Sequence, residues 1–375
     1  NSVGSDEIFD YLIDQADKLG ASDIHIENGR TSMRIRMRID GVLHPVADLS
    51  SDRYRMILAA LATRANISTA STEPQSGHIQ KEIMIDGVAH TLNLRAETIP
   101  TMYGQDAVLR LFNYDESSLN LDRLGINSLE RQRLDEIISH PRGMVLMVGP
   151  TGSGKTTTLY SIINALNTTA RKIITLEDPV EYSISGISQI PVNTTGGQSF
   201  GDNLRSVLRL DPDVLMIGEI RDADTAKTAI QASITGHLVL SSFHATSSAA
   251  AFSRMVDMIG INPIFSSAIR LVIAQRLVRR LDDATKEEYE PDDATKRWVQ
   301  DILKDLPENS DKPDLNNFKL WHPVVNERSP FGYNGRVVIM EQMVVTDRIQ
   351  RFLSGDEADM SPEKVEQAAK EEGMI

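Results

Sequence analysis

The chain has 375 residues, 41% of them hydrophobic and 25% charged, which is enough apolar material for two or three packed domains. It contains no cysteine, which removes disulfides, thiolate nucleophiles and any Cys-based zinc site and fits a reducing interior. Its 53 acidic against 39 basic residues give a formal charge of −14; this argues against a general nucleic-acid coat or a polybasic membrane surface, because phosphate binding is driven by Lys and Arg releasing counterions.

The first residues, "NSVGSDEIFDYLIDQADKLG", start acidic, without a basic n-region before an apolar one, and no window approaches eighteen apolar residues. Neither an export signal nor a membrane span is expected. Ile8, Phe9, Leu12, Ile13, Ala16 and Leu19 recur at helical spacing and stop at Gly20, which predicts a first helix. "TSMRIRMRID" then alternates strictly. Met33, Ile35, Met37 and Ile39 share one face and Arg34, Arg36 and Arg38 the other, before Asp40-Gly41 supplies a hairpin turn. For these arginines, structure or subunit contact is favoured over catalysis. Asp86-Gly87 repeats the turn between "HIQKEIMI" and "VAHTLNLRA". Residues 1–113 are expected to form a small α+β domain.

From Gly143 short apolar strands alternate with helices: "GMVLMV", a helix after Gly154, then "KIITL", "DVLMIG" and "HLVLSS". That pattern predicts an α/β domain with a mostly parallel sheet over 114–280. Between Asp282 and Lys319 the chain carries 12 acidic and 6 basic residues, with Pro291, Pro307 and Pro313 as breakers, and is expected to be a solvated helix plus loop. "GRVVIMEQMVV" resumes a strand and "TDRIQRFLSG" a short helix, which makes 281–375 a third, mostly helical part.

The chemistry gathers in the middle region. Gly149, Pro150, Thr151, Gly152, Ser153, Gly154, Lys155 and Thr156 fit G-x-x-x-x-G-K-[ST], follow an apolar strand and precede a helix that continues through Thr157. Glycines let successive N–H groups point at phosphate oxygens, the helix start adds positive dipole, Lys155 reaches the β and γ phosphates, and the Thr156 hydroxyl ligates magnesium. Two acidic strand ends follow. "ITLEDPVEY" carries Glu177, Asp178 and Glu181, and "VLMIGEIRD" carries Glu219, with Arg221 and Asp222 open to a merely solvating role. Parallel sheets gather ligand residues outside the carboxyl ends of their strands, so the two clusters are expected to converge on one metal-phosphate centre. "TGHLVLSSFHA" adds His237, equally open to a structural role, and His244 at the strand's carboxyl end, the better candidate for a γ-phosphate contact. Zinc is disfavoured.

With these residues in place, the stretch from Gly20 to about Arg280 resembles the secretion ATPase superfamily of type II secretion and type IV pilus motors. "GASDIHIE" and "RIRMRIDGVL" resemble that family's second amino-terminal domain, "GPTGSGKTTTLY" its Walker A, "ITLEDPVEY" its Asp box, "LRLDPDVLMIGEIRD" its Walker B and "TGHLVLSSFHA" its His box. The family reads Gly-Glu in Walker B, so Gly218 is an expected variation. The resemblance implies a RecA-like P-loop core with ATP and Mg²⁺. It makes Glu219 the carboxylate that orients the attacking water, has Glu177 help to hold magnesium or that water, and shares the outer shell of magnesium between Glu177 and Glu219 through water. Arg95 and Arg110, in "LRAETIPTMYGQDAVLR", are placed against the γ-phosphate, with salt bridges inside the small domain as their alternative role.

It further implies a homohexameric ring that works on an inner-membrane platform protein from the cytoplasm, without nucleic acid, in pilus or pseudopilus assembly. A retraction ATPase, a DNA translocase and a non-hydrolysing nucleotide switch are the alternatives. Two departures stand out. The tetracysteine zinc motif that many assembly members carry after the "RLVRRL" segment, read as helical, has no counterpart; nor does a further amino-terminal docking domain, which is expected of a truncated chain or a short member.

Overall fold

The computed structural model describes residues 4–85, 88–112, 119–194, 196–304, 314, 318–327, 329–357, 359 and 361–374. They divide into two compact units, residues 1–115 with 279–285 and 325–335, and residues 116–278 with 286–324 and 336–375.

The first unit contains α1 (Ser5–Lys18), β1 (Ala21–Asn28), β2 (Met33–Ile39), β3 (Val42–Leu49), α2 (Ser51–Ala65), β4 (Gln75–Ile85), β5 (Val88–Thr101) and β6 (Gly104–Phe112). The strands form one antiparallel sheet in the order β3-β2-β1-β6-β5-β4. The expected periodicities decide what is buried. Phe9, Leu12, Ile13 and Ala16 of α1 and Ile57 and Leu61 of α2 share a core with Met33, Ile35, Met37 and Ile39 of β2. Asp40 (φ 49°) and Gly41 (φ 85°) both adopt left-handed backbone, as a two-residue hairpin between twisted strands requires. Asp86-Gly87 lies outside the described residues, although the strands flanking it pair as expected. Arg34, Arg36 and Arg38 pair across strands with Asp48, Glu27 and Asp23.

The second unit opens with α3 (Ser128–Ile138) and then runs β7 (Gly143–Val148), α4 (Lys155–Leu166), β8 (Ile173–Glu177), β9 (Ser188–Pro191), α5 (Phe200–Val207), β10 (Val214–Ile217), α6 (Ala223–Ile234), β11 (Leu238–Phe243), α7 (Ser248–Ile259), α8 (Pro263–Ser266) and β12 (Ile269–Leu281). After β13 (Glu287–Tyr289), α9 (Asp293–Leu303) and β14 (Leu320–His322), β15 (Tyr333–Val344), α10 (Asp347–Ser354) and α11 (Pro362–Glu371) complete the chain. Seven strands form a sheet in the order β15-β12-β7-β11-β10-β8-β9. From β12 to β9 every neighbour pair is parallel. Strands β7, β8, β10 and β11 are buried at every position, which is why they read as apolar runs and not as alternation.

Two expectations change. The "RLVRRL" segment is the end of β12, extended strand and not a helix, and follows the stretch Ile269 to Ala274 that pairs with β7. Residues 281–375 are divided between the units: 281–285 and 325–335 count with the first, and Met343, Val345, Ile349, Phe352, Leu353, Val365 and Ala368 join the core that α7 and the parallel sheet build. The acidic segment does form a solvated helix, since α9 buries none of its residues. Among the described residues, no helix is long and apolar enough to cross a membrane.

Candidate active site

All the strands from β7 to β11 run parallel, so their carboxyl ends lie on one edge of the sheet, and four segments of interest, after β7, β8, β10 and β11, leave from that edge. Strand β7 feeds residues 149–154, which turn into α4. Gly149, Gly152 and Gly154 have φ of 146°, 77° and 84°, backbone that side chains rarely adopt, and Gly154 caps the helix. Ser153 is buried, and its hydroxyl has no hydrogen-bond partner among the described residues. Thr156 and Thr157 are exposed on the first turn of α4. A glycine-curled loop, an orphan hydroxyl and a helix start fit a phosphate chain, because each offers a donor to anionic oxygen. Lys155 Nζ donates to the Gly149 and Pro150 carbonyls at 2.8 and 3.0 Å. Burial lowers its pKa, with the negative charge of Glu219 acting in the opposite direction.

Glu219 sits just past β10, its side chain 14% exposed. Both oxygens are held: His244 Nε2 lies 2.7 Å from Oε1 and Arg221 Nε donates to Oε2 at 2.7 Å. Glu219, after β10, and His244, after β11, are therefore in direct contact. Gly218 explains how closely this strand end approaches its neighbour. A β-carbon there would lie 3.1 Å from the Leu176 carbonyl, which accepts from Gly218 N at 2.8 Å, and 3.5 Å from Glu177 Cα.

Glu177 ends β8 and is 3% exposed. Its Oε1 accepts from Thr175 Oγ1 and from Gln189 Nε2, and its Oε2 accepts from the Tyr160 hydroxyl of α4. Burial, then the charge and hydrogen bond of Glu177, push the Tyr160 hydroxyl pKa far up, so it remains a donor. Sequence reasoning has Glu177 help to hold magnesium or water; here it is buried under three donors and ties the end of β8 to α4. Asp178 accepts from Thr194 Oγ1.

The other candidates separate. His237 Nδ1 is 2.9 Å from the Ala232 carbonyl, a structural contact at the end of α6, and Asp222 caps α6 by accepting from Thr225 N at 2.8 Å. Arg95 and Arg110 belong to the first unit and face each other on β5 and β6. Arg110 Nε donates to Asp23 at 3.1 Å, Arg95 Nε to Glu97 at 2.7 Å, and both guanidinium groups keep substantial exposure. Sequence reasoning missed Arg221 as a partner of Glu219, Tyr160 and Gln189 as partners of Glu177, and Gln275, which touches the loop from β12. Only Arg221 had a signal, its place two residues after the strand-end carboxylate. Among the described residues no three His, Asp or Glu side chains come together as a metal group.

A family described as Type II/IV secretion system protein matches residues 5–374. Type II secretion system ATPase E of Vibrio cholerae is 37% identical over 360 residues, covering 96% of this chain and 69% of that protein. Type IV pilus assembly ATPase PilB of Pseudomonas aeruginosa is 38% identical over 357 residues, covering 94% of this chain and 60% of that protein. The chain thus spans roughly two thirds of the length of these relatives. The X-ray structure of the Legionella pneumophila ATPase DotB shares the fold, with a TM-score of 0.68 at 22% identity over 99% of this chain and 88% of that one.

Proposed function

The chain belongs to the Type II/IV secretion system protein family, and from that membership we propose that it hydrolyses ATP to ADP and phosphate and couples the reaction to pilus or pseudopilus assembly. The observation that carries the reading is Glu219, a carboxylate fixed at both oxygens beside the phosphate loop. Lys155 would exchange its two carbonyl partners for β and γ phosphate oxygens, and Thr156 would hold magnesium, which neutralises charge on the phosphates. Glu219 accepts a hydrogen bond from the attacking water and takes its proton, with Arg221 and His244 keeping the carboxylate in one orientation. Arg95 and Arg110 supply positive charge to the transferring phosphoryl group, from the same or a neighbouring subunit. The working form is a homohexamer engaged with an inner-membrane platform protein on its cytoplasmic side.

Phosphate release by the wild type and by Glu219→Gln, measured beside nucleotide affinity, tests the assignment. Removal of the base should lower turnover by about 10²–10⁴-fold and leave ATP binding intact. Equal rates would mean that Glu219 is not the catalytic carboxylate, and no release from either protein would favour a nucleotide switch.

A further inference from the structure

We propose that Gln275 of β12 sets the phosphate-binding conformation of residues 149–158 and so tunes nucleotide affinity without touching the nucleotide. The proposal rests on the reading of that loop as the ATP site.

Gln275 is completely buried, and both ends of its amide are used on the loop and its helix. Nε2 donates to the Ser153 carbonyl at 2.7 Å, and Oε1 accepts from Thr158 Oγ1 at 2.8 Å. One side chain therefore fastens the last turn of the loop and the first turn of α4 together. Its main chain closes the other end, since a β-carbon on Gly149 would lie 2.4 Å from the Gln275 carbonyl, and its side chain packs so near Gly154 that a β-carbon there would lie 2.9 Å from Nε2. This placement follows from register. Ala274 lies opposite Val148 in the parallel β12 and β7 pair, so Gln275 is level with the point where the loop begins.

Peptide planarity turns that grip into a binding property. In a trans peptide the Ser153 C=O and the Gly154 N–H point in opposite directions within one plane. A carbonyl anchored on Gln275 commits the Gly154 N–H to the far side, away from β12, and oriented backbone amides are what a phosphate loop binds with. Without the anchor, that peptide is free to rotate, and its amide must be ordered again each time a nucleotide binds. A buried amide with both partners satisfied also fixes the loop more strictly than apolar packing would, because any other arrangement leaves polar groups unpaired.

The test measures the affinity of ADP and the KM and kcat for ATP in Gln275→Leu, Gln275→Glu and Thr158→Val, with thermal melting as the check on folding. Gln275→Leu keeps bulk and loses both hydrogen bonds; Gln275→Glu keeps the acceptor for Thr158 but sets a carboxylate oxygen against the Ser153 carbonyl. Both should weaken ADP and raise KM by about tenfold or more, with kcat at saturating ATP within about threefold of wild type, the pattern of lost uniform binding. Thr158→Val should weaken ADP by a smaller factor. Wild-type ADP affinity in a folded Gln275 variant would overturn the proposal; if neither Gln275 variant folds, wild-type affinity in Thr158→Val would do so. Lys155→Ala separates this failure from a wider one. If Lys155→Ala loses ADP while the Gln275 variants keep it, only the role of Gln275 falls. Unchanged affinity in Lys155→Ala would remove the loop itself as the nucleotide site.

Discussion

Glu219 gains its direction from two neighbours of different chemistry, a guanidinium two residues on and an imidazole from the next strand. His244→Ala frees one oxygen, and a carboxylate displaced by about 1 Å from its working position loses up to ~10²-fold in rate. We expect phosphate release at saturating ATP to fall by about 10-fold to 100-fold, and a wild-type rate would show that His244 is dispensable for orienting Glu219. Arg110→Ala should slow turnover with little change in melting temperature, because the arginine is largely exposed and the buried Asp23 keeps Arg38 and Ser22 Oγ as partners. A large fall in melting temperature with normal turnover would make Arg110 a structural residue. The phosphate loop was legible at every fixed position because its chemistry needs contiguous residues. Partners such as Tyr160 and Gln275 were not, since a hydrogen bond across 17 or 122 positions leaves no mark on spacing.

At the scale of elements, the ends of β8 and β10 stand close because Gly218 has no side chain. Gly218→Ala would set a methyl 3.1 Å from the Leu176 carbonyl oxygen, so the two strand ends must part by a few tenths of an ångström. A loss of about 1–3 kcal/mol in urea unfolding is expected, with reduced turnover as Glu219 shifts. An unchanged stability would mean that the strand ends are free to separate. In the first unit, Arg64 holds Asp10 with bonds of 2.6 and 2.8 Å, and Lys81 lies 3.4 Å from the same carboxylate. The Arg64 hydrogen bonds, with the Lys81 charge behind them and burial opposing, lower the Asp10 pKa. A carboxyl whose pKa is lower folded than unfolded stabilises the fold above its unfolded value, about 4, and loses that contribution as pH falls through the folded one. Asp10→Asn should therefore melt below the wild type at pH 7, by about 1 kcal/mol or less given its partial exposure, and the gap should close in acid. A gap independent of pH would point to packing instead of charge.

Strand β12 shows what elements hide. Leu271, Ala274, Leu277, Val278 and Leu281 recur at spacings that suit a helix, yet the segment lies between β15 and β7 in the sheet. Its first half, Ile269 to Gln275, is covered on both faces and loses the period of two, and its exposed second half has no clean alternation either, so tertiary position decides. The alternating β2, with one face buried and one in ion pairs, was legible for the opposite reason.

At the scale of the whole molecule, the proposed homohexamer can be tested by mass. Sedimentation of Glu219→Gln with Mg²⁺ and ATP should give six times the mass of the 41.6 kDa chain, and a monomer under those conditions would count against the hexamer. The α/β core was legible as a whole because short apolar strands alternating with helices have few ways to pack. The carboxy-terminal part was not, since apolar residues on short helices do not say which core they join. The central claim is that residues 149–157 form a catalytic ATP site. Mg²⁺-dependent phosphate release by the wild type and by Lys155→Ala tests it most directly: the wild type should turn over only with Mg²⁺, and Lys155→Ala, melting within a few degrees of it, should lose activity by about 10²-fold or more. A folded Lys155→Ala that releases phosphate at the wild-type rate would contradict it.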